Sequence, residues 1–353
     1  MWAATQAPAA ARAAAARAAG IGEDRVVLHP MLAGGSFGAA LETLAIEQAA
    51  VLAMTLKRPV HLAWPRAESL MRLPTRPPAL ARMTAKLGGN GAILGWHAAI
   101  ATPALGRALD RRIFGAGGGS GGDAVAVDGA APVYRIPAWA VDHHPADVGV
   151  PAGWMRGGAH VASCFATEGF LDELARRADT EPLSYRIGML GGTPRLARCL
   201  STVAALGGWQ GGVPGSGQGI AAHSFRGSHI ALMVEGGMED GGRPRVDRMV
   251  AAVDVGRAIN PDLVRQAVEG GLVFGLAGAL GASSGITRGL VDARSFRDLA
   301  LPRLASTPEI LVELIDSDAE PGGASEIGVP VVAPALANAI FAASGRRLRS
   351  LPL

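Results

Sequence analysis

The sequence predicts a mixed α/β fold, helices and strands interleaved across more than one sheet, arranged as two lobes. Three observations carry this expectation. Over residues 1–70 the order reads helix, strand, Gly-rich turn, helix, strand. Later stretches such as Ile230 to Val234 and Arg245 to Val255 are short apolar runs rich in β-branched residues, the mark of sheet strands. Between them Gly115 to Gly122 is a low-complexity, Gly-rich run that reads as a flexible loop or lobe boundary. The expected lobes are residues 1–140 and 141–353.

Taken in order, Ala9 to Gly20 reads as an alanine-rich helix closed by Gly20, placed as a C-terminal cap. Arg25 to His29 has a β-like pattern, and Gly34 to Gly38 follows as a tight turn. From about Leu41 to Leu56 apolar residues recur at helical spacing, among them Leu44, Ala45, Ala49 and Leu52. Pro59 to Ala63 reads as a further strand. Glu168 to Arg177 is an amphipathic helix. Another helix starts at Pro261, with Asn260 well placed as its N-cap. Ile310 to Ile315 reads as a strand, and Ala333 to Ala343 as a helix that Pro334 helps to start.

Composition narrows the function classes. The chain has 353 residues, 49% hydrophobic and 18% charged, enough to bury a sizeable core. Its net charge is only +3 and its arginines are scattered, so there is no case for a nucleic-acid surface. Cys164 and Cys199 are too few for an iron–sulfur cluster and too far apart for a CxxC site. The most apolar stretch, Leu272 to Ala282, is too short and Gly-rich for a membrane span, and no export signal is evident at the N-terminus. The expected compartment is the cytoplasm, with carriage to the periplasm by a partner as the alternative.

Several residues suit particular chemistry. Gly34, Gly35, Ser36, Phe37 and Gly38 lie just ahead of a helix, where backbone N–H groups can approach an anionic group closely; alone, the same motif is equally a plain strand-to-helix turn. Gln6 is a neutral donor. Arg156 is a fixed cation suited to charge that develops on a substrate, or to a simple ion pair. Glu326 sits in a Gly- and Pro-rich loop before an apolar helix, where poor solvation makes a carboxylate a better proton acceptor. His29, His143, His144 and His160 read as ordinary histidines and not as metal ligands.

Four segments in order carry a resemblance. Trp2, Thr5, Gln6 and Pro8 followed by the Gly34–Gly38 turn match WxxTQxP and GGxFG. Trp154, Arg156 and Gly158 lead into the Glu168 helix. Asp254, Gly256, Asn260, Pro261, Glu269, Gly270 and Gly271 match DxGxxxNPxxxxxQxEGG, with Gln266 one position ahead of the motif's glutamine. Glu326, Asn338, Ala339, Ile340, Phe341 and Arg349 to Leu353 match a long C-terminal block. Over almost its whole length the chain resembles the C-terminal half of molybdenum hydroxylase large subunits, of the xanthine dehydrogenase and aldehyde oxidase superfamily. The nearest resemblance is to the isoquinoline 1-oxidoreductase and membrane-bound aldehyde dehydrogenase type.

That resemblance implies a molybdopterin-binding domain holding molybdenum as molybdopterin cytosine dinucleotide, with no protein ligand to the metal. It implies Glu326 as general base, Gln6 as a donor to the metal's oxo group, Arg156 as substrate orienter, and Gly34–Gly38, Gly158 and Gln266 as cofactor contacts. The activity implied is oxidative hydroxylation of an N-heteroaromatic or aldehyde with water-derived oxygen. The partners implied are the upstream half of the large subunit on another chain, a small [2Fe-2S] subunit and a small-molecule substrate. Three features depart from the pattern. The sequence opens at the WxxTQ segment; the two arginines expected after GGxFG are Ala39 and Ala40; and Ser325 and Ile327 replace the usual glycine and proline around Glu326. Gly217, Gln218 and Gly219 spell GQG in a different segment, so no cofactor role is carried onto them. Two expectations follow, a split active enzyme or a non-catalytic scaffold that keeps the fold.

Overall fold

The computed structural model describes residues 1–115, 119 and 121–353; residues 116–118 and 120, in the stretch read as a lobe boundary, lie outside the described residues. Strand β1 (Trp2–Ala4) pairs in parallel with β2 (His29–Met31), and α1 (Pro8–Ala19) runs between them. Proline opens α1 and Gly20, at φ 67°, closes it, as its position in the sequence suggests. Alanines pack closely, so Ala11 and Ala15 lie against Ile46 of α2 (Leu44–Leu56). Two short sequence expectations fail here. Glu23 to Arg25 forms a single 3-10 turn and pairing begins only at His29; Pro59 to Ala63 has no regular structure and joins no sheet. A β-like pattern becomes a strand only where a neighbouring backbone completes the ladder.

After α3 (Arg66–Arg72), β3 (Leu80–Leu87) and β4 (Ile93–Thr102) form an antiparallel hairpin. Beyond α4 (Leu105–Leu109), β5 (Ala138–Pro145) adds in parallel to β4. Three helices follow, α5 (His160–Arg177), α6 (Pro182–Gly188) and α7 (Pro194–Gly207). The larger sheet then forms from β6 (Gln218–Phe225), β7 (Ser228–Met238) and β8 (Pro244–Asp254). After α8 (Pro261–Leu280) and the small ribbon of β9 (Ile286–Thr287) and β10 (Leu290–Val291), strand β11 (Glu309–Leu314) joins β8 in parallel. The last helix is α9 (Val332–Ser344).

The larger sheet is buried on both faces, which is why its strands read as unbroken apolar runs. Along β7, Ile230, Leu232 and Val234 join a core with α8 and α9, while Ala231 and Met233 join a second core with α5 and α7. On β8 the same alternation separates Met249, Ala251 and Val253 from Val250 and Ala252. Gly219 lets α9 lie directly on β6, since a Cβ there would stand 2.1 Å from the Ala339 nitrogen. Helix α8 is long and apolar enough to cross a membrane by length and composition; a core helix has the same character, and Val268, Leu272 and Leu276 are fully buried in the first core. Asn260 caps it by accepting from the Leu263 N–H at 3.0 Å.

One buried ion pair ties these parts together. Glu168 on α5 accepts from Arg186 Nε of α6 (2.9 Å), from Tyr134 Oη (2.8 Å) and from the Ala222 N–H of β6 (3.0 Å). Arg186 is completely buried, and its remaining nitrogens donate to the carbonyls of Pro182 and Glu168. Burial alone would lower the Arg186 pKa; Glu168, by charge and hydrogen bond, together with Tyr134 and Asp172 outweighs it, and the net shift is upward. Replacing only Glu168 by Ala strands a buried cation and should cost about 3–5 kcal/mol of folding free energy in denaturant unfolding. The apolar double replacement Glu168→Leu with Arg186→Met should cost clearly less than that single change.

Candidate active site

The turn after β2 is built for close approach. Gly34, Phe37 and Gly38 all have positive φ (61°, 51° and 106°), which bends the chain tightly here. Among the described residues, the N–H groups of Gly34, Gly35, Phe37 and Gly38 meet no protein acceptor. At Gly38 no other residue fits: a Cβ would stand 2.5 Å from the Trp154 carbonyl oxygen. The Phe37 carbonyl in turn accepts from the Arg156 N–H at 2.9 Å, which seats this turn on the segment that leads into α5.

Glu326 reaches the same place from the far end of the chain. Its Oε2 accepts from the Gly157 N–H at 2.9 Å, and Oε1 meets no donor among the described residues. Arg156 fastens the Glu326 loop: Nε donates to the Ser325 carbonyl (2.6 Å) and Nη2 to the Ala267 carbonyl of α8 (2.8 Å). The guanidinium also lies over the rings of Phe37 and Phe274, 5.7 and 5.9 Å from their centroids. Burial lowers the Arg156 pKa and the Glu326 charge opposes that shift. Behind this loop Arg76 donates to the carbonyls of Arg156 and Gly158, both at 2.7 Å. Burial pushes Arg76 down to about 10, against the pull of Glu326.

The result is a cleft of about 580 Å³ lined by Gln6, the Gly34–Gly38 turn, Leu41, Trp154, Arg156, Arg226, Ser325 and Glu326. Of the residues picked from the sequence, Gln6, Gly34, Gly35, Ser36, Phe37, Gly38, Arg156 and Glu326 converge here. Gly158 and Gln266 do not line the cleft. Gly158 lies under the Trp154 ring, and Gln266 is exposed on α8 beside Ala267. The Gly217–Gly219 segment is structural, since the Gln218 side chain hydrogen-bonds Gln210, Gly208 and Glu235.

Two family models described as molybdopterin cofactor-binding domain match the chain, over residues 1–188 and 217–308. The chain belongs to the molybdenum hydroxylase large-subunit family. It is 31% identical to isoquinoline 1-oxidoreductase subunit beta of Brevundimonas diminuta, over all of this chain and 46% of that protein. It is 27% identical to a membrane-bound aldehyde dehydrogenase of Gluconacetobacter polyoxogenes, over 94% of this chain and 46% of the other. The chain thus spans about half the length of these curated relatives. In fold it matches quinoline 2-oxidoreductase from Pseudomonas putida 86, with a TM-score of 0.79 at 14% identity, covering 98% of this chain and 69% of that one.

The cleft of this hydroxylase-family chain fits such a cofactor in its donor set. A phosphorylated pterin is anionic and rich in acceptors. The cleft presents free amides on the glycine turn, two arginines and a single carboxylate. Ala39 and Ala40 form a neutral 3-10 turn with Leu41, so the glycine turn itself brings no positive charge into the cleft. Arg76 and Arg226 carry no sequence signal. Arg76 sits in a Pro-rich loop far from the motifs, and Arg226 is one residue of an Arg-Gly hairpin turn.

A second cluster lies behind the Arg156 segment. His160, the first residue of α5, contacts His223 Nε2 through Nδ1 (2.8 Å) and Asp128 through Nε2 (3.2 Å). Burial, then repulsion from His160, pushes His223 down to about 3 from its ordinary 6.5. The unfolded chain therefore binds a proton across that interval that the folded chain refuses, and stability should fall as pH drops from 6.5 towards 3. Unfolding midpoints measured across that range should show a shallower acid slope in His223→Gln than in the wild type. Gly38→Ala should lower the thermal midpoint, by strain and overlap together worth about 1–3 kcal/mol.

Proposed function

We propose that this chain is the cofactor-holding, catalytic part of a molybdenum hydroxylase large subunit, oxidising an N-heteroaromatic or aldehyde substrate with oxygen derived from water. The observation that carries this reading is the position of Glu326, its carboxylate held at one oxygen by Gly157 and free at the other, in the cleft shared with Gln6 and the Phe37 turn. Support also comes from the family membership and from the names of the relatives. The cofactor, read as molybdopterin cytosine dinucleotide, supplies a two-electron acceptor and an activated oxygen when bound.

The chain's own residues then have distinct tasks. The amides of Gly34, Gly35, Phe37 and Gly38 hold the cofactor's anionic and acceptor groups. Gln6, exposed and with no side-chain partner among the described residues, donates a hydrogen bond into the cleft. Glu326 takes a proton at Oε1 while the Gly157 N–H fixes Oε2. Arg156 holds the Glu326 loop at its working distance through two carbonyls, and its charge favours electron density gathering on the substrate. Phe37 and Phe274, whose rings are 5.1 Å apart, form an apolar face suited to an aromatic ring.

In this reading the cleft closes between two lobes, residues 1–140 giving Gln6 and the glycine turn and residues 141–353 giving Trp154, Arg156, Arg226 and Glu326. Turnover needs the upstream half of the large subunit and a [2Fe-2S] subunit to carry electrons away. Such a complex works in the cytoplasm, or in the periplasm if a partner carries it there. Co-expression with the upstream half, followed by metal analysis, tests the proposal. Stoichiometric molybdenum is expected, and Glu326→Gln should keep the metal but lose roughly a hundredfold or more in kcat. A complex that never acquires molybdenum would instead make this chain a scaffold, the reading that the neutral Ala39 and Ala40 favour.

A further inference from the structure

We propose that Arg226 is a specificity residue that selects substrates carrying a carboxylate on the ring or aldehyde being oxidised; this rests on the reading of the cleft as a hydroxylation site. Arg226 forms the tip of the β6–β7 hairpin with Gly227. Both have positive φ (46° and 82°), the geometry of a tight two-residue turn between the paired Phe225 and Ser228. Asparagine or glycine adopts the first of these conformations at lower cost than arginine, so the turn itself does not call for this side chain. Its guanidinium lies over the Phe225 ring, 5.3 Å from the centroid, and lines the cleft.

The charge is available. Among the described residues Arg226 makes no side-chain hydrogen bond and no ion pair. Asp128 lies near enough to feel its charge, but the Asp128 carboxylate is turned onto His160. Arg156, the other arginine lining the cleft, is by contrast committed to two backbone carbonyls. Arg226 also belongs to the Glu326 side. Its carbonyl accepts from the Gly323 N–H at 3.0 Å, and a Cβ at Gly323 would stand 3.3 Å from its own Cβ. The free amides for the cofactor lie on the Gly34–Gly38 turn, whereas the free guanidinium lies with the general base. A carboxylate at Arg226 would anchor one end of a planar substrate while its reacting carbon faces Glu326.

Binding of nicotinate and of its neutral isostere nicotinamide to the purified full chain, followed by quenching of tryptophan fluorescence, tests this. Trp154 lines the cleft and serves as the reporter. Nicotinate should bind about tenfold more tightly than nicotinamide. Arg226→Gly, which suits the left-handed backbone and keeps the hairpin, should erase that preference and leave nicotinamide binding unchanged. Arg226→Lys should restore part of it. Equal binding of the two probes to the wild type, binding of neither, or a preference that survives in Arg226→Gly would each overturn the proposal. So would loss of molybdenum from the Arg226→Gly complex with the nicotinate preference intact, which would assign the guanidinium to a cofactor phosphate. Failure of the hydroxylase reading appears separately, as a wild-type complex without molybdenum.

Discussion

A carboxylate and a guanidinium buried together, Glu168 and Arg186, are the constraint on which the rest of the molecule depends. Neither can leave its partner without exposing a full charge to an apolar interior. Because Glu168 also accepts from Tyr134 and from the β6 backbone, the pair fixes where α5 stands against the larger sheet and against the loop before β5. The first residue of α5 is His160, so the segment carrying Trp154, Arg156 and Gly157 inherits that placement. The position of the cleft is thus set by an interaction well away from it.

Within the cleft, backbone geometry does most of the positioning and side chains supply the charge. The glycine turn is shaped by three positive φ angles and by the absence of room beside Trp154. Arg156 acts first as a fastener, spending two nitrogens on carbonyls from segments distant in sequence, and only then as a cation. Arg76 repeats that pattern one layer further back. The arginines lining the cleft stand on elements that enter it from other directions than the glycine turn.

Much of this was legible in the sequence, and what was not has a physical cause. Capped helices such as α1 and α8, and two-faced apolar strands such as β7 and β8, announce themselves locally through Gly20, Asn260 and unbroken apolar runs. Gln6, the Gly34–Gly38 turn, Arg156 and Glu326 were readable because each sits in a short motif. Pro59 to Ala63 misled because pairing depends on a neighbour that no local pattern reveals. Strands β3 to β5 escaped notice because their alternation is weakened by Gly95 and by exposed polar positions. Arg76 and Arg226 were invisible because their roles come wholly from tertiary placement; Gly158 shows that membership of a motif does not bring a residue into the cleft, and Gln266 stands one position off its motif's glutamine.

The hydrogen bond from Gly157 to Glu326 spans 169 positions of sequence. Closing so long a loop is entropically costly and late, because the intervening sheet and helices must already be in place to bring its ends together. During synthesis the glycine turn emerges well before the Glu326 segment. A nascent chain therefore displays the glycine turn long before the carboxylate that will face it, and the cleft is complete only after the Glu326 segment has emerged.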